Sequence, residues 1–295
     1  MQYKYKMTLV GHRSAIYKLL DIPGSDKFMS LGGDGMVVEW RTDGHPDGLM
    51  LADAGEQMFT GKFLSSENWL IAGGMSGNII WLDLNKKIII RKMSQHKKSV
   101  FDIIKLDEKR SVSASGDGSI CIWNNEDQQL LLSVKVSSQG LRKLLRVSDQ
   151  YLLIGSSDGH IYQINVSTWE VECRYVAHDN SVFALALGDN HIYSGGRDAL
   201  LKSWSWENNE LVPQKVMNAH WYTINDIIWS GHGVFTASRD KKIRAWTKDL
   251  DISGSLTFAE NGHVNSVNTL ILKENYLISA GDDRSIILWA KDSYQ

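Results

Sequence analysis

Short apolar runs of four to six residues recur along the chain, each broken by Gly, Asp, Ser or Asn. Nowhere does the i, i+3, i+4 spacing of a long amphipathic helix persist. Within residues 100–135 four such runs read as strands: 100–106, 110–114, 119–123 and 130–135. Gly116-Asp117-Gly118 joins the second run to the third, and its chemistry suits a two-residue hairpin. The third runs, such as Ile286-Ile-Leu-Trp289, are apolar almost throughout, as in sheets covered on both faces. Sheets stacked face to face at about 10 Å would supply that cover.

The pattern is periodic. Its turn falls at positions 34, 76, 117, 158, 198, 240 and 283, so the step stays between 40 and 43 residues. Self-similarity at this period, with several strands per unit, predicts propeller blades. The expected fold is all-β: a seven-bladed propeller of four-stranded antiparallel blades, forming one domain over residues 1–295. The last unit stops just after a third strand, whereas a spare strand, 3–9, precedes the first. Pairing the two closes the ring and removes two open edges.

Five of the seven units share more than their period. Each has a Trp (Trp40, Trp123, Trp204, Trp246, Trp289) and an Asp six residues earlier (Asp34, Asp117, Asp198, Asp240, Asp283). A Ser or Thr precedes the Asp by four (Ser30, Ser113, Ser194, Thr236, Ser279), and a His precedes it by 20 to 22 (His12, His96, His178, His220, His263). The second unit has Ala72, Ser76 and Leu82 in place of Ser/Thr, Asp and Trp; the fourth has Ile154 and Ile164 but keeps Asp158. Both lack the His, so His, hydroxyl and Trp disappear as a set. That is the behaviour of one buried polar network, in which a member left unpaired costs about 1–3 kcal/mol. A Ser-His-Asp hydrolase would need such a site once, not five times.

These residues resemble the WD-repeat family: a Gly-His pair (Gly11-His12, Gly262-His263), a second strand ending in Ser or Thr, an Asp turn and a Trp-ended third strand. The Asp that names the family is replaced after each Trp by Arg41, Asn124, Ser205, Thr247 or Ala290. The resemblance implies that His, Ser/Thr, Asp and Trp form one hydrogen-bonded chain inside each blade. It also implies that partners dock on the narrower face, around the mouth of a central channel. Two positions per blade line that mouth. The first set is Tyr17, Phe101, Arg142, Phe183, Asn225 and Asn268, with Thr60 taking the place in the second unit; the second is Gly33, Met75, Gly116, Ser157, Arg197, Arg239 and Asp282. Trp221 and Tyr222 follow His220 on the same side.

Charge and composition narrow the function classes. The net charge is −2 with both signs interspersed, which does not advertise a nucleic-acid or anionic-membrane surface. The N-terminus lacks the apolar core of a signal peptide, and no run reaches the 18 or so residues of a membrane span. A cytoplasmic, soluble protein is expected, monomeric when alone. Cys121 and Cys173 read as reduced, buried thiols. The remaining His residues (His45, His160, His191, His232) stand in turn-like contexts at no metal-ligand spacing, and the Gly pairs lead into strands where a phosphate cradle needs a helix. No cofactor and no metal are expected.

Aromatic plus Arg is the composition of binding hot spots. The expected function is therefore a non-catalytic scaffold that binds a protein or peptide, acidic or phosphorylated, on the narrow face. Its candidate contacts are Tyr17, Phe101, Arg142, Phe183, Arg197, Trp221, Asn225, Arg239, Asn268 and Asp282. Tyr17, Phe101 and Phe183 either bind the partner or only cap the core. The alternative is a propeller hydrolase or lyase at the channel mouth, which needs an unrepeated acid/base pair near the axis.

Overall fold

The computed structural model describes residues 3–292. Residues 1–2 and 293–295, the outermost ends of the expected domain, lie outside the described residues. Among the described residues twenty-eight strands form seven separate four-stranded antiparallel sheets. The third blade consists of Val100–Lys105, Arg110–Ser115, Ser119–Asn124 and Leu130–Lys135, in that order from the inner to the outer edge. Blades 1, 2, 4, 5 and 6 repeat this over residues 16–53, 58–94, 141–176, 182–218 and 224–256. Blade 7 takes three strands from 267–291 and its outer strand, Tyr3–Val10, from the other end of the chain. Tyr3 pairs with Lys291 and Val10 with Ser285, so the seventh sheet is completed by a distant segment.

Apolar side chains are partitioned in the same way. Seven buried clusters lie between the seven pairs of neighbouring blades, the last joining Leu9, Trp40 and Leu288 across blades 7 and 1. Each third strand is buried on both faces, which explains its apolar run. Inner strands touch those of both neighbouring blades all the way round, and contact between Ile16–Asp21 and Val267–Lys273 closes the circle.

The turn between second and third strands differs from the expected two-residue hairpin. In this turn of blade 3 only Gly118 has positive φ, +81°, and its N–H bonds to Ser115 carbonyl. Gly116-Asp117-Gly118 is thus a three-residue loop, a tight turn followed by one left-handed residue. Gly35, Gly77 and Gly159 take that place in three other blades, but Ala199, Lys241 and Arg284 take it in blades 5, 6 and 7.

Inside five blades the four recurring side chains meet. In blade 1, Trp40 Nε1 donates to Ser30 Oγ at 2.7 Å, Ser30 Oγ lies 2.6 Å from His12 Nε2, and His12 Nδ1 lies 3.0 Å from Asp34. Blades 5, 6 and 7 repeat the geometry with His178–Ser194–Asp198–Trp204, His220–Thr236–Asp240–Trp246 and His263–Ser279–Asp283–Trp289. In blade 3 Trp123 and His96 meet Ser113 at 2.9 and 2.8 Å, while His96 Nδ1 lies 3.4 Å from Asp117 and 3.2 Å from Ser119 Oγ. A carboxylate only accepts, so Nδ1–H donates to it and Nε2 accepts the hydroxyl proton; the oxygen of that hydroxyl takes the indole N–H. With a neutral imidazole the chain of bonds runs in one direction. Burial, against the pull of Asp117 and Asp240, lowers the proton affinity of His96 and His220. Burial alone would raise the Asp283 carboxyl, but His263 and Ser285 outweigh it and bring it down to about 2.

The two divergent blades use other means. In blade 4, Asp158 accepts from Tyr162 at 2.7 Å and from Ser137 at 3.0 Å. In blade 2 the carboxylate comes from the loop: Glu56 accepts from Ser76 N–H at 3.1 Å, from Asn78 Nδ2 at 2.7 Å and from Lys92 at 2.9 Å. Cys121 is buried on the third strand of blade 3, where desolvation pushes its thiol up to about 11, whereas Cys173 on the outer strand of blade 4 is only half-buried. His160 and His191 open strands instead of lying in turns.

Candidate functional site: the mouth of the central channel

Every inner strand begins with an irregularity. The register skips one residue at Tyr17, Phe59, Phe101, Arg142, Phe183, Asn225 and Asn268. A β-bulge re-aims the extra side chain, and here it brings all seven to one cavity of about 260 Å³ at the channel mouth. The second-blade position is Phe59, not Thr60. Thr60 is buried one residue further on, where its hydroxyl accepts the N–H of Ile103 at 3.2 Å. The inner strand of blade 2, Met58–Leu64, places the skip between Met58 and Thr60; without a His in the preceding loop, the sequence holds no marker for that register.

The mouth is divided. From blade 1 to blade 5 it is aromatic. Tyr17 meets Phe59 edge-on at 5.0 Å, Phe59 stacks on Phe101 at 6.0 Å, and the Arg142 guanidinium lies between Phe101 at 4.0 Å and Phe183 at 5.1 Å. Arg142 Nε donates to Ser157 Oγ at 2.8 Å; burial and then neighbouring Arg197 lower its proton affinity. Across blades 6 and 7 the mouth is polar. Asn225 Nδ2 donates to Ser266 and to Val267 carbonyl, and Asn268 Nδ2 donates to Ile16 carbonyl at 3.0 Å and Asp282 at 2.7 Å.

Arg197, Arg239 and Asp282 sit on the exposed turns above, and none of them lines the cavity. Among the described residues neither Arg197 nor Arg239 pairs with a carboxylate. Trp221, 77% exposed, stands in the loop after His220 with the Lys242 ammonium 4.8 Å from its ring.

Below the mouth lies a second ring with no counterpart in the sequence reading. The residues after the bulges include Lys18, Asp102, Lys143 and Asp226. Asp102 accepts the N–H of Leu144 at 2.9 Å, Asp226 that of Leu270 at 3.0 Å, and Thr269 that of Leu19 at 3.3 Å. Each side chain thus takes a backbone donor from the next blade, which stitches the ring. Lys143 lies 3.9 Å from Asp102 and 3.6 Å from Asp226; those carboxylates outweigh desolvation and raise its proton affinity. Lys18, 3.8 Å from Asp102, is pushed the other way, by burial first and then by Lys143. The signal was available only as four unrepeated charged residues on otherwise repeated strands.

The turns at the ends of the blades away from the mouth are rich in carboxylates, among them Asp43, Asp47, Glu126, Asp127, Asp249 and Asp251, with Arg41, Lys86, Lys87 and Lys248 interspersed. Among the described residues no group of His, Cys, Asp and Glu is placed to hold a metal ion, and no helix is long and apolar enough to cross a membrane.

The fold and its repeated polar chain define a WD-repeat β-propeller. The family description "WD domain, G-beta repeat" matches residues 87–124, 211–247 and 254–290. The chain belongs to the WD-repeat β-propeller family. An uncharacterised WD repeat-containing protein of Schizosaccharomyces pombe is 25% identical over 195 residues, 62% of this chain and 51% of its own. The WD repeat-containing protein 26 homolog of Arabidopsis thaliana is 22% identical over 261 residues, 83% of this chain and 43% of its own. The chain therefore spans about half the length of the curated relatives it matches. Among solved structures, the WD40 β-propeller domain of Doa1 superimposes with a TM-score of 0.86 at 18% identity, covering 99% of this chain and 98% of that one.

Proposed function

We propose that residues 1–295 form one monomeric, cytoplasmic propeller acting as a non-catalytic platform, which binds an acidic or phosphorylated peptide or protein segment at the channel mouth. WD40 propellers are typically protein-interaction scaffolds. The observation that carries the finer reading is the cavity of about 260 Å³, walled by Tyr17, Phe59, Phe101 and Phe183 and flanked by guanidinium groups without carboxylate partners. An apolar anchor would fill the cavity, and an anion beside it would meet Arg142 and Arg197.

A hydrolase or lyase at the same mouth would have to draw on Lys18, Asp102, Lys143 and Asp226. Both carboxylates already accept backbone N–H groups and face Lys143, which favours a structural role for the set. Nucleic acid is a poorer fit, because binding it would lay a long polyanion against a molecule whose other end is rich in carboxylates.

The test is a peptide array probed with the pure protein. Peptides pairing an apolar residue with Glu or phosphoserine should bind, and basic ones should not. An Arg197→Ala/Arg239→Ala double variant should bind at least tenfold more weakly; unchanged binding would count against the reading.

A further inference from the structure

The cavity is open towards blades 3 and 4. There Phe101 and Arg142 also line a shallower groove of about 470 Å³, which runs outward past Gly116, Gly140 and Met75 to Lys98. Glycine backbone forms its floor. A Cβ on Gly140 would come 3.1 Å from Gly116 Cα, and one on Gly116 2.9 Å from the Phe101 ring. Side chains at these positions would strike the protein's own atoms, so glycine lets the two turns approach closely and leaves bare backbone along this stretch of the groove.

Arg142 stands where cavity and groove meet. Its plane is held by Phe101 and Phe183 and its Nε by Ser157, so the fork is pre-oriented. Its remaining N–H donors have no partner among the described residues. Arg197 is tied to the same spot by backbone: its N–H bonds to Ser181 carbonyl at 2.9 Å, and Ser181 Oγ bonds to Ser157 carbonyl at 3.3 Å. Lys98 is exposed at the outer end, and no carboxylate pairs with it among the described residues. Three cations without a carboxylate partner among the described residues therefore stand beside an aromatic-walled cavity and a groove of mixed lining, in which Ser99, Gln139 and Ser157 accompany Met75 and the two glycines. What complements such a surface is an anion next to an apolar group.

We propose that an extended anionic peptide segment lies along this track, with an apolar side chain in the central cavity and a phosphoryl or carboxylate side chain across the Arg142 fork. The chain continues over Gly116 and Gly140 towards Lys98. In an extended chain, side chains two residues apart share a face at about 7 Å, a spacing that serves a cavity and a groove meeting at one residue. This rests on the function proposed above and narrows it to the side of blades 3 and 4. Trp221 and Arg239, carried by the blade 6 loop and turn, fall outside the track.

Fluorescein-labelled octapeptides carrying one Leu and, two residues away, phosphoserine, Glu or Ser would serve as probes in an anisotropy titration. Phosphoserine should bind tightest, Glu next and Ser at least tenfold more weakly than phosphoserine. Arg142→Lys keeps the charge but removes the fork and should weaken phosphoserine binding about tenfold. Lys98→Glu should weaken it about fivefold, whereas the same charge change at Lys109, at the other end of blade 3, should leave it within twofold. Thermal melts matching the wild type would show that each variant is folded. If Arg142→Lys and Lys98→Glu bind normally while the Arg197→Ala/Arg239→Ala variant does not, the track is wrong and the broader reading stands. Failure of the wild type to bind any probe would overturn both.

Discussion

Blades 2 and 3 are neighbours that solve one problem with opposite arrangements. Each must tie the loop entering the blade to the turn between its second and third strands. In blade 3 the carboxylate is on the turn: Asp117 accepts the loop N–H of Lys97 at 2.7 Å, and the line of His96, Ser113 and Trp123 runs inward behind it. In blade 2 the carboxylate is on the loop: Glu56 accepts the turn N–H of Ser76 at 3.1 Å, while Ala72 and Leu82 fill the interior. What a blade requires is the tie; the inner polar chain is one way to support it. The contrast recurs at the interface itself. Trp81 and Trp123 meet edge-on at 5.3 Å, yet the buried Trp81 Nε1 has no hydrogen-bond partner among the described residues whereas that of Trp123 donates to Ser113 at 2.9 Å.

The largest test of that contrast is truncation. Trp123→Ala should cost about 3–5 kcal/mol in denaturant unfolding, and combining it with Ser113→Ala should be non-additive by about 0.5–3 kcal/mol because the two share one bonded chain. Strict additivity would dissolve the chain as a unit. A gentler replacement sharpens the same point. Trp123→Phe and Trp81→Phe both remove ring volume from a fully buried site, but only the first also leaves Ser113 without its donor, so it should cost about 1–3 kcal/mol more than the second.

Acid should then separate the blades by pH. The folded-state proton affinities of His96 and His220 are lowered, so their contribution is present above the unfolded value of about 6.5 and is lost as pH falls from there through their folded values. Blade 2 has no such step. Burial would raise the Glu56 carboxyl, but hydrogen bonds from Ser76, Asn78 and Lys92 outweigh it and lower it, so its contribution is lost only below the ordinary glutamate value of 4.5. Hydrogen exchange followed from pH 7 to 4 should show blade 3 amides loosening before those of blade 2, and simultaneous loosening would contradict the assignment. Two further substitutions concern the turn. Gly118→Ala would set a Cβ 2.1 Å from Ser137 carbonyl at a φ of +81°, and it should cost more than 1 kcal/mol. Ala199→Gly, at a φ of 65°, relieves the same conformation and should leave the melting temperature unchanged or slightly raised.

Much of this architecture was legible beforehand. Trp, Asp, Ser/Thr and His recur at short, regular spacings, and apolar runs of strand length separate them. Hairpins are local, so nearest neighbours in sequence largely dictate them. The spare strand 3–9 likewise announced its partner, since only the seventh unit lacks an outer strand of its own. Where the repeat lost its landmarks, the reading slipped. Phe59 was missed because nothing in blade 2 marks its bulge, and the Asp158–Tyr162–Ser137 substitute was missed because tyrosine is not among the recurring types.

Residue order along the chain thus specifies what each blade is and how many there are, because the forces involved act over a few residues. Which side chains face one another at the mouth is a different matter. Tyr17, Phe59, Phe101, Arg142 and Phe183 lie some 40 residues apart in succession, and only bulge geometry and ring closure bring them round one axis. The pairing of two lysines with two aspartates below them arises the same way, from distances that exist only once seven sheets have closed on themselves.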